Sequence, residues 1–204
     1  IMSYSDLLRR EARCTRRTLT DGQLRPVCVF IEEGLGAMEE TCRGLVLSAS
    51  GDAQESTLTI ILTWTLHQLY SAYDNALKGN YAAGISNARS GLEGVFFMEK
   101  YAGDKAAGAK WASNLEYDSD KPFSILTELG KKRGVDFKEL HGHYRNLSKL
   151  SHPYPKVRFM FIERQREKLA VSVSGSFKKQ WTAAILSEIL FIVGNSLKII
   201  SPFT

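Results

Sequence analysis

The sequence predicts an all-α protein: a multi-helix, up-and-down bundle with a small inserted β-hairpin. Apolar residues recur at helical spacing over most of the 204 residues, and capping residues, Gly and Pro separate these stretches at short intervals. One stretch, near 157–173, instead alternates with the period of a strand. We expect a single helical domain over 1–204, in which the helices of 3–50 pack on a bundle core of 55–200.

Capping residues divide the chain into eight predicted helices. Gly79 ends the third helix and Asn80 can cap the fourth, while Pro122 is placed in a first helical turn, where it is tolerated. Asp136 and Glu139 form a capping-box pattern. The predicted helices cover about 4–17, 22–48, 55–78, 81–102, 104–115, 121–133, 137–151 and 177–200.

The segment before the last helix is predicted to form the β-hairpin. Two runs of alternating residues define its strands: Val157, Phe159 and Phe161 in the first, and Leu169, Val171 and Val173 in the second. We expect the polar residues 163–168 between these runs to form the connecting turn.

Two apolar segments raise the question of membrane insertion. Leu58–Leu66 is followed too closely by polar residues for a span of about 20 apolar residues, and 181–200 contains Glu188 and Lys198. We interpret both as central helices of the bundle and expect no membrane partner.

Charge and cysteine content narrow the class of protein without naming a function. The chain carries 27 Lys and Arg against 22 Asp and Glu, a formal charge of +5, which permits an anionic partner without requiring one. Its three cysteines, Cys14, Cys28 and Cys42, are an odd number without metal-type spacing. We therefore expect no disulfide framework. A reducing, cytoplasmic location is the expectation that follows.

Several enzyme classes lack their sequence signatures here. There is no Glu-x-x-His pair for a di-iron bundle, no His-Glu-x-x-His, no Cys-x-x-Cys, no P-loop and no Gly-x-Ser-x-Gly. His141 and His143 are two residues apart, so on a helix their rings point about 200° apart and a shared metal ion is not expected. We expect neither a metal nor a cofactor.

The predicted helix 137–151 carries the residues most suited to chemistry. Arg145 and His152 are seven residues apart and fall within about 20° on a helical wheel, and His141 lies in the same sector. His152 precedes Pro153, which places it at the helix C-terminus, where the helix dipole favours a protonated imidazole. A guanidinium offers a planar fork for phosphate oxygens, and a histidine is suited to acid–base work.

This pattern resembles that of the HEPN superfamily, whose motif is Arg-x(4–6)-His, often with Asn, Asp or His directly after the Arg. Here Arg145 and Asn146 are followed by His152, with six residues between Arg and His, the long end of that range. The resemblance covers the motif helix closely and the rest of the chain only as a helical pattern. It implies metal-independent RNA cleavage, in which the 2′-hydroxyl attacks the neighbouring phosphate, and a cleft to which two protomers contribute.

The resemblance implies that Arg145 stabilises the phosphate and that His152 is the acid or base. Asn146 and His141 would then be positioning groups. Because attack by a 2′-hydroxyl uses both a base and an acid, a homodimer that apposes two copies of His152 would supply the pair, and His141 is the alternative second group. The competing reading is a non-catalytic HEPN-like module that binds a nucleotide, RNA or a protein partner such as an antitoxin. The third possible interpretation is a purely structural helical domain.

A charged pair on the helix 81–102 is a supporting candidate. Arg89 and Glu93 are four residues apart and lie near the apolar side of that helix, so we expect a half-buried ion pair. An acidic residue placed against the motif arginine, as in some HEPN-like families, suggests a bond from Glu93 to Arg145. The alternative is an ordinary intrahelical ion pair.

Basic residues cluster in two places. The N-terminal cluster contains Arg9, Arg10, Arg13, Arg16 and Arg17, and the cluster around the predicted hairpin contains Lys156, Arg158, Arg164, Arg166 and Lys168. If RNA is the substrate, the side chains of Lys156, Arg158, Arg164 and Arg166 are placed to hold its phosphates. The alternative is solvated surface, because Glu11, Glu163 and Glu167 interrupt the runs.

Overall fold

The computed structural model describes residues 3–48, 53–113, 121–133, 137–151, 162–165, 168–171 and 175–203. These residues form an all-α bundle, as the sequence predicts. The eight helices are α1 (Tyr4–Thr20), α2 (Arg25–Ser48), α3 (Ala53–Lys78), α4 (Tyr81–Ala102), α5 (Lys105–Ser113), α6 (Pro122–Arg133), α7 (Phe137–Ser151) and α8 (Lys179–Ile200), and a short 3-10 turn at Ser201–Phe203 follows α8.

Short polar side chains mark several helix boundaries. The Ser3 hydroxyl accepts a hydrogen bond from the Asp6 backbone N–H at the start of α1. The backbone N–H of Asp21 donates to the carbonyls of Arg17 and Thr18, so α1 runs three residues beyond the predicted end at 17. The side chain of Asp21 also accepts hydrogen bonds from the backbone N–H groups of Gln23 and Leu24, which forms the turn before α2.

The β-hairpin prediction is wrong in the form that the sequence suggested. The described strands are β1 (Ile162–Gln165) and β2 (Lys168–Val171), which pair antiparallel with Gln165 opposite Lys168. Most of the residues expected to form the turn are thus paired in strands, because a ladder is held by backbone hydrogen bonds that polar residues make equally well. The predicted strand residues 157–161, 172 and 173 lie outside the described residues.

Helix α4 lies at the centre of the bundle. It packs against α3, α5, α6, α7 and α8, while α2 packs against α3 and α8. Gly91 and Gly94 allow α3 and α4 to approach closely, since a Cβ on Gly91 would lie 2.9 Å from Leu69. The core combines side chains from four helices: Ile31, Leu35, Met38, Leu62, Leu69, Leu92, Phe96, Ile189 and Ile192.

The turn between α3 and α4 is fastened to the chain that leads into α8. Gly79 has a φ of 74°, and a Cβ there would lie 2.7 Å from the Ser176 carbonyl oxygen. The Tyr81 hydroxyl donates to that same oxygen at 2.8 Å and accepts from the Lys178 backbone N–H at 2.6 Å. We call this group of contacts the Tyr81 corner.

Among the described helices, only α8 is long and apolar enough to cross a membrane by length and composition. The core helix of a bundle meets the same criteria. Helix α8 packs against α2, α3 and α4, and its side chains Ile185, Leu186, Ile189, Ile192 and Val193 are buried there.

Candidate functional site

The predicted motif helix is present as α7, and it separates the motif residues from the core. Leu147 is buried, and Leu140 and Tyr144 pack against the core. The side chains of Arg145 and Asn146 are exposed to solvent. These two residues therefore face outward from the last two turns of the helix.

The remaining predicted site residues are placed as follows. His141 is half-buried, with its ring centroid 6.0 Å from that of Phe123. Helix α7 ends at Ser151, and His152, the next residue, lies outside the described residues. Of the basic residues predicted to hold RNA, Arg164 is in β1, opposite Leu169, and Lys156, Arg158 and Arg166 also lie outside the described residues.

A charged cluster joins α4 to α7 at Tyr144, the residue before the exposed Arg145 and Asn146. The Arg89 guanidinium forms the predicted ion pair with Glu93, at 3.1 Å, and donates to the Tyr144 hydroxyl at 3.3 Å. That hydroxyl donates to the same Glu93 carboxylate at 3.3 Å, so each member contacts the other two. We call this the Arg89–Glu93–Tyr144 cluster.

The cluster is largely shielded from water. The side chains of Arg89 and Glu93 are 28% and 15% exposed. Burial raises the pKa of the Glu93 carboxyl, although the Arg89 charge offsets part of this effect. The Tyr144 ring packs edge-on against Phe96, with centroids 5.6 Å apart, which fixes its hydroxyl toward the two charges.

Two buried polar atoms, one in this cluster and one close to it in the sequence, have no hydrogen-bond partner among the described residues. They are Nε of Arg89 and the hydroxyl of Ser148, which lies one helical turn after Tyr144. Buried donors without partners are rare, because each one costs about 1–3 kcal/mol. The Nε of Arg89 is part of the cluster, so the ion pair with Glu93 and the hydrogen bond to Tyr144 leave one donor of this guanidinium without a partner.

Glu93 has different partners from the one that the family resemblance suggested. Its described partners are Arg89 and Tyr144, whereas Arg145, the residue after Tyr144, is directed to solvent. Consecutive helical residues point about 100° apart, so a side chain that contacts Tyr144 from α4 is not aligned with Arg145.

The sequence analysis missed two residues of this region, Tyr144 and His143. Tyr144 counts as an apolar residue in a periodicity pattern, yet its hydroxyl links the two charges. The sequence does hold one signal for this role. Tyr144 belongs to the buried stripe of its helix, and a buried tyrosine usually finds a hydrogen-bond partner for its hydroxyl.

His143 connects α7 to α8. Its Nδ1 lies 2.7 Å from the Glu188 carboxylate, and its ring stacks on Phe191 with centroids 3.9 Å apart. The signal for this contact is weak: Glu188 is the one acidic residue of α8, a largely apolar helix, and its partner cannot be chosen from sequence.

Glu93 also gives the fold a specific pH dependence. A carboxyl whose pKa is raised by folding stabilises the fold below its unfolded pKa of about 4.5, and this contribution is lost as the pH rises through the raised value. In Glu93→Gln the titrating group is absent. We expect the free energy of unfolding of the native protein, minus that of the variant, to fall as the pH is raised above about 4.5.

Urea unfolding monitored by circular dichroism at a series of pH values measures this difference. Asp6 and Asp21 have pKa values lowered from 3.8, by hydrogen bonds from Ser3 and Lys179 respectively, so their effects belong to a lower pH range. A difference that stays constant across the window contradicts the expectation.

The arrangement combines a rigid polar scaffold with an outward-facing cation. The described residues contain no group of three His, Cys, Asp or Glu side chains that could hold a metal ion. Arg145 can bind an anion, and the cluster behind it fixes the helix that carries it. Comparison of the chain with protein-family models, with curated proteins and with solved structures finds no match for it.

Proposed function

We propose that the protein is a HEPN-like, metal-independent endoribonuclease that uses Arg145, Asn146 and His152. The observation that supports this proposal most directly is the exposure of Arg145 and Asn146 on the last turns of α7, a helix that ends at Ser151. Arg145 has no acidic partner among the described residues, so its charge is available to a phosphate.

The proposed reaction needs no metal ion. A base removes the proton of the ribose 2′-hydroxyl, and its oxygen forms a bond to the neighbouring phosphorus. The bond from phosphorus to the 5′-oxygen breaks, and an acid protonates that oxygen, which leaves a cyclic 2′,3′-phosphate and a 5′-hydroxyl. Arg145 stabilises the extra negative charge on the phosphorane, and Asn146 positions the phosphate.

Proton transfer calls for two groups, and a homodimer supplies them. His152 of one protomer acts as the base and His152 of a second copy acts as the acid, or His141 serves within one chain. In either arrangement, the Arg89–Glu93–Tyr144 cluster sets the rotation of α7 about its axis and so supports the outward direction of Arg145.

RNA cleavage in the presence of EDTA tests the proposal. We expect the native protein to cleave mixed RNA under these conditions and His152→Ala to reduce the rate by about 10²–10⁴-fold, the usual contribution of an acid–base group. Arg145→Ala should give a loss of similar size. His67→Ala is the matched control, because His67 is an exposed histidine on α3 and should leave the rate unchanged.

Two results overturn the mechanism: cleavage that stops in EDTA, or cleavage that survives His152→Ala. Binding of RNA without cleavage by the native protein removes the catalytic proposal and favours the non-catalytic module instead.

A further inference from the structure

Three arginines form a stripe along the solvent side of α1. Arg9, Arg13 and Arg16 follow one another at spacings of four and three residues, so their side chains fall within about 60° on the helix. All three are exposed. The buried residues of α1, Cys14 and Thr18, lie about 150° away, on the side that packs against the bundle.

Of the two acidic residues of α1, one lies on the other side of the helix and one lies at the N-terminal end of the stripe. Glu11, which interrupts the basic run in the sequence, lies about 170° from the centre of the stripe. Asp6 pairs with Arg9 at 3.1 Å, but both side chains are more than half exposed, and such a pair contributes little. Arg13 and Arg16 have no acidic partner in the part of the chain that the structure describes. The fold thus turns Glu11 away from the stripe and leaves Asp6 at its N-terminal end.

The composition of α1 suits anions that accept two parallel hydrogen bonds, which phosphates and carboxylates both do. All five basic residues of the helix are arginine and none is lysine. Arginine is permanently charged and binds phosphate oxygens through two parallel N–H groups, whereas lysine acts as a single point charge. Four-residue spacing separates Arg9 from Arg13 by about 6 Å along the axis, so the stripe presents a row of donors rather than one pocket. A row suits a polyanion.

Among polyanionic partners, RNA fits this surface better than a membrane. A helix that inserts into a lipid surface needs an apolar face beside its basic face, and the apolar side of α1 is packed in the bundle. The exposed apolar residues of α1, Tyr4, Leu8 and Leu19, do not form a continuous apolar face, because Ala12 and Thr15 occupy that side of the helix between Leu8 and Leu19.

We propose that Arg9, Arg13 and Arg16 form a binding surface for the phosphate backbone of RNA, separate in sequence from the α7 motif. The proposal rests on the proposed function only in taking RNA as the substrate, and it does not require that the RNA be cleaved. Backbone contacts of this kind hold the strand without reading its sequence, so the stripe supplies affinity while the α7 motif supplies chemistry.

Fluorescence anisotropy with a labelled oligouridine tests the stripe. Binding is measured in the His152→Ala background, so that cleavage does not interfere. In Arg9→Gln/Arg13→Gln/Arg16→Gln we expect Kd to rise at least about tenfold near 0.1 M salt. The slope of log K against log salt concentration should become shallower by about 2, since each phosphate contact on a single strand contributes about 0.7.

The matched control removes the same total charge from scattered positions. Arg43, Lys121 and Lys198 are exposed basic residues on three different elements or their edges, and Arg43→Gln/Lys121→Gln/Lys198→Gln should change Kd by about twofold or less. All six residues are exposed, so both variants should keep the native circular dichroism spectrum and melting temperature.

Three outcomes overturn the stripe: equal loss of affinity in the two triple variants, no loss in the arginine variant, or binding of anionic lipid vesicles that depends on the same arginines. A failure of the proposed nuclease mechanism gives a different result from a failure of the stripe. If the native protein leaves RNA intact while the arginine variant alone loses affinity for it, the stripe is supported and the catalytic mechanism is overturned.

Discussion

Glu93→Ala is expected to lower the free energy of unfolding by about 2–3 kcal/mol at neutral pH. The substitution leaves the Arg89 guanidinium half-buried without its carboxylate and removes the acceptor of the Tyr144 hydroxyl. An unpaired buried charge accounts for most of the cost, and the remaining exposure of Arg89 keeps the effect at the lower end of the range for buried pairs. Urea denaturation followed by circular dichroism measures the change.

The chain offers an unusually close control for this prediction. Arg43, Glu39 and Tyr70 repeat the same three residue types, with an ion pair at four-residue spacing and a tyrosine hydroxyl that donates to the carboxylate. Here, however, the Arg and Glu side chains are 70% and 43% exposed. Glu39→Ala should therefore cost about 0.5 kcal/mol or less. Equal losses in Glu93→Ala and Glu39→Ala would show that burial of the Arg89–Glu93–Tyr144 cluster has no energetic consequence.

Gly94→Ala is expected to destabilise the fold by a similar amount, about 2–3 kcal/mol. A Cβ at this position would collide with the hydroxyl of Thr65, a buried residue of α3 whose Oγ1 donates to the Ile61 carbonyl at 2.7 Å. Both partners are held within packed helices, so the collision forces α3 and α4 apart along their contact. Thermal and urea unfolding of the variant give the size of the loss.

Gly44→Ala separates this steric cost from the general effect of replacing glycine in a helix. Gly44 lies within α2, and a Cβ there would meet nothing within 4 Å. The substitution should stabilise the fold by about 0.5–1 kcal/mol, because alanine restricts the unfolded chain and favours a helix. In addition, Thr65→Ala/Gly94→Ala should cost less than the sum of its single substitutions. Stabilisation by Gly94→Ala would contradict the packing described for α3 and α4.

The helices could be predicted from sequence because their signals are local. Gly79 and Asn80 define the boundary between α3 and α4 to the residue, and Pro122 is the first residue of α6. The end of α1 was predicted three residues early, since its termination depends on Asp21, a side chain that serves α1 and the following turn together.

The hairpin shows where local signals fail. Alternation of side chains has the same period whichever residues of the run are paired, so the pattern alone does not set the register. The strands instead pair Glu163 with Ala170 and Arg164 with Leu169.

The candidate site was predictable only in part, because some of its contacts join helices that are distant in the sequence. The Arg89–Glu93 ion pair lies within one helix and was predicted from its four-residue spacing. The contributions of Tyr144 and the contact of His143 with Glu188 depend on how α7 is rotated against α4 and α8, and that rotation is set by packing between elements distant in the sequence. The roles of Arg145 and His152 stay predictions that RNA cleavage will decide.

The Tyr81 corner has a consequence for the order in which the chain assembles. Its partners are separated by 95 residues or more, and closing a loop of that length costs about 4 kcal/mol of chain entropy. As the chain leaves the ribosome from its N-terminus, α3 and α4 emerge long before Ser176 and Lys178. Until those residues arrive, the contacts of the Tyr81 hydroxyl and of the backbone at Gly79 with this segment are absent, so the corner can close only when the chain has reached the start of α8.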